Sequence, residues 1–85
     1  MTNALITAAT KGMGRATAIA LARAGISLAI CARNEQELEA FKLELLEMNP
    51  GIQVMTQTVD GSVKDQLLGF AASAEKELGF ISIIV

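Results

Sequence analysis

The 85-residue sequence contains no histidine, no tyrosine and no tryptophan, and it has a single cysteine, Cys31. Without histidine, the chain offers neither an imidazole general base nor the commonest ligand of zinc. One cysteine cannot form an intrachain disulfide or a thiol-rich metal site, so we expect no metal site and a reducing, cytoplasmic setting. The absence of tyrosine excludes a tyrosine acid or base within these residues.

Strongly charged segments and long apolar runs are also missing. Seven basic residues stand against nine acidic ones, and the resulting net charge of −2 provides no electrostatic attraction to nucleic acid or to an anionic membrane. The N-terminal residues MTNALITAAT lack the basic flank and long apolar run of a signal peptide, and no apolar stretch approaches the roughly 18 residues of a membrane span. We therefore expect no nucleic-acid partner and no membrane partner.

The chain is short but rich in apolar residues. Its 85 residues form one domain at most, and 52% of them are hydrophobic. A domain of this size exposes a larger share of its surface than one of roughly 150 residues does. The composition therefore favours a segment whose sheet is covered by further chain over a domain that stands alone.

Short apolar runs alternate with helical segments throughout. The pattern predicts strands at 4–7, 27–32, 52–59 and 81–85, and helices at 15–24, 35–48 and 63–78. Asn34 with Glu37, and Ser62 with Asp65, have the spacing of capping boxes at the starts of the second and third helices. Crossovers of this length favour right-handed βαβ units. The predicted fold class is therefore α/β, the first half of a Rossmann-like doubly wound parallel sheet with strand order 3-2-1-4.

The segment TAATKGMGR, residues 7–15, has the small residues of a phosphate-binding loop between a strand and a helix. Gly12 and Gly14 stand where the backbone approaches a pyrophosphate and where the helix packs closely on the sheet. Ala8 occupies the position of the first glycine, and it costs on the order of 1 kcal/mol if φ is positive there and little if φ is negative. Arg15 is predicted to be solvated, or at most near the phosphates. The alternative is a strand-to-helix turn that binds no ligand.

TAATKGMG, followed by AIALARAG, AICARNEQELEAF and QTVDGSVKDQL, resembles the N-terminal half of a short-chain dehydrogenase/reductase over the whole chain. The family pattern Thr-Gly-x-x-x-Gly-x-Gly is matched at Thr7, Gly12 and Gly14, and the chain departs from it at Ala8, where some members also have alanine. The resemblance implies that 1–85 is a partial dinucleotide-binding domain, truncated after the fourth strand. It also implies that the loop binds the cofactor's phosphates through Ala8, Thr10, Lys11, Gly12, Met13 and Gly14.

The residues after the second predicted strand bear on which cofactor is bound. Ala32 stands where family members that prefer NAD usually have Asp, and Arg33 follows it. Arg33 and Lys11 suit a 2′-phosphate, because a guanidinium group is well shaped to bind one. The resemblance therefore implies NADP(H). The alternative is that both cations are ordinary surface charges, and Asn34 is a cofactor ligand, a helix cap or both.

Asp60 and Gly61 follow the third predicted strand at its carboxyl end, where ligands of open α/β sheets gather. In the family, an Asp at this position bonds the adenine amino group, and the next backbone N–H reaches a ring nitrogen. The resemblance thus implies an adenine contact at Asp60 and Gly61. The alternative is that Asp60 only helps the chain to turn toward Ser62.

No catalytic residue is expected within the 85 residues. Family members continue past the fourth strand to a catalytic Ser and a Tyr-x-x-x-Lys, and this chain is expected to stop before them, which leaves ISIIV (81–85) as an apolar edge prone to association. The resemblance implies the cofactor-binding half of an NADP(H)-dependent oxidoreductase that is inactive alone. The parent would act on a small carbonyl or alcohol, as a 3-oxoacyl reductase does, and would be a homo-oligomer, a dimer or tetramer. The alternatives are a non-catalytic dinucleotide sensor and an inert fragment.

Overall fold

A computed structural model of the chain describes residues 3–7, 12–60 and 63–85. In these ranges strands and helices alternate. The elements are β1 (Asn3–Ile6), α1 (Gly12–Arg23), β2 (Ser27–Ala32), α2 (Glu35–Met48), β3 (Val54–Thr58), α3 (Lys64–Leu78) and β4 (Ile83–Ile84).

The four strands form one parallel sheet in the order β3-β2-β1-β4. This confirms the predicted fold class and strand order. All six residues of β2 are buried, which agrees with its continuous apolar sequence, whereas β3 lies at an edge and becomes exposed toward Thr58. A strand that is buried on both faces has no polar side to present, which explains the continuous apolar sequence of β2.

The alternating side chains of the strands divide the core into two layers. On one face, strand residues such as Ile6 and Ile30 pack against α1 and α2, which contribute Ala18, Ala22, Leu38, Phe41 and Leu45. On the other face, Leu5, Ala29 and Cys31 pack against Phe70 and Ala74 of α3. Because successive residues of a strand point to opposite faces, neighbours such as Leu5 and Ile6 belong to different layers.

The helix ends follow the sequence in most places. Asn34 is the N-cap of α2, and its side-chain oxygen accepts a hydrogen bond from the Glu37 N–H at 3.0 Å, as predicted. Gly79 follows α3 with a φ of 91°, and its N–H donates to the carbonyl of Glu75 at 2.8 Å. The predicted Ser62 cap is wrong, because the N-cap of α3 is Val63, which makes no side-chain cap bond. Ser62 itself lies outside the described residues.

Two element boundaries also differ from the prediction. Helix α1 begins at Gly12 and not at Arg15, although glycine is a poor helix former. Strand β4 is limited to Ile83–Ile84, but the backbone bonds between Ser82 and Asn3 and between Val85 and Leu5 extend its pairing with β1. Among the helices that the structure describes, none has the length and apolar content needed to cross a membrane.

A buried polar residue joins β1 to the opposite end of the chain. Asn3 is 5% exposed, and its side-chain N–H group donates to the carbonyl of Leu78 at 2.8 Å and to that of Phe80 at 3.0 Å. Its own backbone carbonyl accepts from the N–H of Ser82 at 3.1 Å. Asn3 therefore satisfies carbonyl groups at the end of α3 and positions the segment that leads into β4.

Candidate functional site

The candidate site lies at the carboxyl edge of the parallel sheet. Because all four strands run in the same direction, α1 begins at this edge, and Arg33 and Asp60 follow β2 and β3 there. Ligands of open α/β sheets bind at this edge, where the connections on the two sides of the first strand diverge. The fold therefore brings together the parts of the chain in which the sequence predicts binding residues.

The start of α1 is suited to an anion. Gly12 has a φ of +57°, and a methyl group added to it would meet no atom of the described residues within 4 Å. The glycine therefore serves the backbone conformation. The first four N–H groups of an α-helix have no partner within the helix, and the first turn of α1 holds no acidic residue to offset their positive dipole end. Met13, between Gly12 and Gly14, is 86% exposed. Backbone donors at this turn can therefore bind phosphate oxygens.

A cation and a carboxylate face each other across the ends of β2 and β3. The Arg33 Nε atom lies 3.9 Å from Asp60 Oδ1, and the side chains are 80% and 47% exposed. A pair this exposed and this long contributes little to folding stability. The guanidinium group consequently remains accessible to an anionic ligand, next to the carboxylate of the neighbouring strand end.

Asp60 is held through its backbone. Its N–H donates to the side-chain oxygen of Gln66 at 2.8 Å, and its carbonyl accepts from the N–H of Val63 at 3.0 Å. The first turn of α3 thereby determines where the chain turns after β3.

Ala32, the last residue of β2, is 8% exposed, so a small side chain occupies the buried position immediately before Arg33.

Asn34 has the structural role that its spacing predicts, since its side-chain oxygen is engaged in the cap of α2. Whether it also contacts a ligand stays a prediction. Four other predicted binding residues, Ala8, Thr10, Lys11 and Gly61, lie outside the described residues. Their predicted contacts stay predictions as well.

Arg15, predicted to be solvated or at most near the phosphates, has a 38% exposed side chain and two partners that the prediction does not include. Its Nη2 atom lies 2.6 Å from Glu44 Oε1, and its guanidinium carbon lies 4.7 Å from the centre of the Phe41 ring. The sequence has no local signal for this contact, because Arg15 and Glu44 are 29 residues apart and belong to different helices. Arg15 thus connects the first turn of α1 to α2.

The described residues contain no group of three or more His, Cys, Asp or Glu side chains that could hold a metal ion. Cys31 is buried in β2, within the layer covered by α3. Within that part of the chain, the chemistry available at the site is therefore the binding of anionic and polar groups by backbone N–H groups, a guanidinium group and a carboxylate.

Comparison with known proteins agrees with this geometry. The model of the short chain dehydrogenase family matches residues 2–85. The chain is 44% identical to the very-long-chain 3-oxoacyl-CoA reductase let-767 of Caenorhabditis briggsae over 57 residues, which are 67% of this chain and 18% of the relative.

Two solved structures have the same fold. The alcohol dehydrogenase of the archaeon Thermococcus sibiricus, complexed with 5-hydroxy-NADP, is 32% identical, with a TM-score of 0.89 over 99% of this chain and 36% of its own. The NADPH-bound short chain oxidoreductase of Pseudomonas aeruginosa PAO1, which contains an atypical catalytic center, is 33% identical, with a TM-score of 0.90 over 96% of this chain and 32% of its own. The chain spans between 6% and 29% of the length of three curated relatives.

Proposed function

The chain belongs to the short chain dehydrogenase family, and we propose that it is the part of an NADP(H)-dependent oxidoreductase that binds the adenosine and pyrophosphate of the cofactor. The observation that carries this proposal is the exposed guanidinium group of Arg33 at the end of β2, directly after the small residue Ala32. A carboxylate at the position of Ala32 would repel a 2′-phosphate, whereas a guanidinium group can bind one through two hydrogen bonds. The structures from Thermococcus sibiricus and Pseudomonas aeruginosa, with their bound 5-hydroxy-NADP and NADPH, support the choice of cofactor.

The remaining contacts follow the edge of the sheet. We assign the pyrophosphate to the start of α1, where Gly12, Met13 and Gly14 present backbone N–H groups, together with Ala8, Thr10 and Lys11 of the preceding loop. We assign the adenine to the end of β3, where the carboxylate of Asp60 accepts from the amino group and Gly61 contributes a backbone N–H. Asn34 borders the 2′-phosphate beside Arg33 while it caps α2.

When bound, the nicotinamide supplies hydride chemistry between a carbonyl and an alcohol. The chain's own residues bind and orient the other half of the cofactor, so that the nicotinamide is held at a defined place. The similarity to the let-767 reductase supports a 3-oxoacyl compound as the substrate class. For the complete protein, we propose a cytoplasmic homo-oligomer, a dimer or tetramer, whose catalytic residues lie outside these 85 residues.

The test is a titration of the full-length protein with NADPH and with NADH, monitored by calorimetry. The variant Arg33→Ala should weaken NADPH by about ten- to hundredfold, since a hydrogen bond to a charged group contributes roughly 1.5–3 kcal/mol. Its affinity for NADH should stay within about twofold, because NADH has no 2′-phosphate.

Arg23→Ala is the matched control. It removes the same charge from the exposed last turn of α1, at the opposite edge of the sheet, and should leave both affinities unchanged. Equal or tighter binding of NADH by the wild type would refute the cofactor assignment. Consumption of NADPH with 3-oxoacyl substrates then tests the reaction, and tight binding without turnover would favour a dinucleotide sensor.

A further inference from the structure

The side chain of Arg15 connects the first turn of α1 to α2. Arg15 directly follows Gly14, and its guanidinium group is paired with Glu44 at 2.6 Å and stacked on Phe41 at 4.7 Å. Phe41 is 2% exposed and belongs to the core layer beneath α1 and α2. The stacking partner of Arg15 is thus a rigid part of the core, because a buried aromatic ring is fixed by its neighbours.

The other end of α1 is connected to α2 independently. The side-chain N–H group of Asn49, the C-cap of α2, donates to the carbonyl of Ala22 at 3.1 Å. Helices α1 and α2 are therefore joined at both ends, by Arg15 at the carboxyl edge of the sheet and by Asn49 at the opposite edge. Of these two connections, the one through Arg15 is next to the turn that carries Gly12 and Gly14.

We propose that Arg15 is a positioning residue for the pyrophosphate of the cofactor. Its contacts with Glu44 and Phe41 hold the first turn of α1, so that the N–H groups of this turn keep the direction in which they bind phosphate oxygens. Order that is present before binding lowers the entropy lost on binding. The inference rests on the proposed function, because it concerns the same pyrophosphate site.

The pairing with Glu44 also distinguishes a positioning role from a ligand role. In a positioning role Arg15 keeps its contact with Glu44 while the cofactor is bound. If Arg15 instead left Glu44 to bind the phosphates, Glu44 would compete with the cofactor. The two roles therefore predict opposite effects of removing the Glu44 charge: weaker cofactor binding for a positioning role, and tighter binding for a ligand role.

The experiment measures the Kd of NADPH and of NADH for full-length protein carrying Arg15→Ala or Glu44→Gln. Arg15→Ala should weaken both dinucleotides by about three- to tenfold, the size expected for the loss of a half-exposed ion pair and a cation–π contact. Glu44→Gln removes only the ion pair and should weaken both by about two- to fivefold. The ratio of the two affinities should not change, because both dinucleotides have the pyrophosphate and only NADPH has the 2′-phosphate. Arg15→Lys keeps the charge and should recover part of the lost affinity.

Asn49→Ala is the control for a merely structural role. It removes the connection at the other end of α1, so it should lower the urea midpoint of unfolding and leave both Kd values unchanged. The inference would be overturned by tighter binding in Glu44→Gln, by unchanged binding in Arg15→Ala, or by an equal loss of affinity in Asn49→Ala. Wild-type protein that binds neither dinucleotide would overturn the proposed function together with this inference, whereas the other three outcomes would leave the proposed function intact.

Discussion

Replacing Asn3 by aspartate changes one atom type at a buried position and keeps the shape of the side chain. In the wild type the amide N–H group of Asn3 donates to two carbonyl oxygens, those of Leu78 and Phe80, at 2.8 and 3.0 Å. In Asn3→Asp an oxygen replaces that nitrogen, so an acceptor faces both carbonyl oxygens. The variant therefore tests whether the donor group of Asn3 is what holds the end of α3 and the start of β4 against β1.

The expected loss follows from these contacts. Two hydrogen bonds are broken, each contributing about 1 kcal/mol, and a carboxylate that is 95% shielded from solvent (Asn3 is 5% exposed) has no donor to replace them. We expect the free energy of unfolding to fall by about 2–4 kcal/mol. The loss should be smaller at acid pH, relative to wild type at the same pH, because the protonated carboxyl group can donate to one of the two carbonyls.

The assay is urea unfolding of the full-length protein, with the midpoint and the slope fitted together. The control is Asn34→Asp, the same chemical change at the cap of α2. There the oxygen of the side chain makes the bond, to the Glu37 N–H at 3.0 Å, so aspartate should be tolerated within about 0.5 kcal/mol. Equal effects of the two substitutions, or an unchanged midpoint for Asn3→Asp, would refute the assigned role of the Asn3 amide.

Two further pairs of variants test the backbone and the core. Gly12 has a φ of +57°, whereas Gly69 lies within α3 without a positive φ, and the described residues leave space for a methyl group at both. Gly12→Ala should therefore destabilise the protein by about 1 kcal/mol, because alanine is strained at a positive φ. Gly69→Ala should stabilise it by about 0.5–1 kcal/mol, because alanine is the better helix former. Opposite signs in urea unfolding are expected, and equal signs would contradict the argument from φ. Phe70 is 0% exposed and Leu68 is 58% exposed, so Phe70→Ala should cost about 3–5 kcal/mol and Leu68→Ala less than about 0.5 kcal/mol. Comparable midpoints for these two variants would show that α3 does not cover the sheet as described.

The parts of the fold that the sequence predicts are those that depend on local patterns. The continuous apolar run of β2 and the alternation in β3 predict a buried strand and an edge strand, and the structure has both. Asn34 is the cap of α2, because the side chain and the Glu37 N–H that it bonds are only three residues apart. The alternation of strands and helices predicts right-handed parallel crossovers, and the order β3-β2-β1-β4 is the one expected of the doubly wound nucleotide-binding fold.

The start of α3 shows where a local pattern is insufficient. Ser62 and Asp65 have the spacing of a capping box, but the cap is Val63, and Gln66 bonds the Asp60 N–H. The path of the chain after β3 decides which residue stands at the start of the helix. The spacing of the residues does not contain that path.

The candidate site also has parts that the sequence predicts and contacts that it does not predict. The sequence alone predicts three binding groups: the glycine loop before α1, the guanidinium group after β2 and the carboxylate after β3. Each is identified by its place relative to a predicted strand. Parallel pairing then brings them to one edge.

The tertiary structure alone decides the contacts between Arg15, Glu44 and Phe41, and those of Asn3 with Leu78 and Phe80. Arg15 and Glu44 are separated by 29 residues, and Asn3 is separated from Leu78 and Phe80 by 75 and 77. No periodic pattern relates residues so far apart. Their meeting depends on the distance and angle at which α1 packs on α2, and at which α3 returns to the sheet. Those quantities are set by the packing of whole layers. The sequence therefore determined which groups reach the carboxyl edge of the sheet, and only the packed fold decided which distant side chains contact one another.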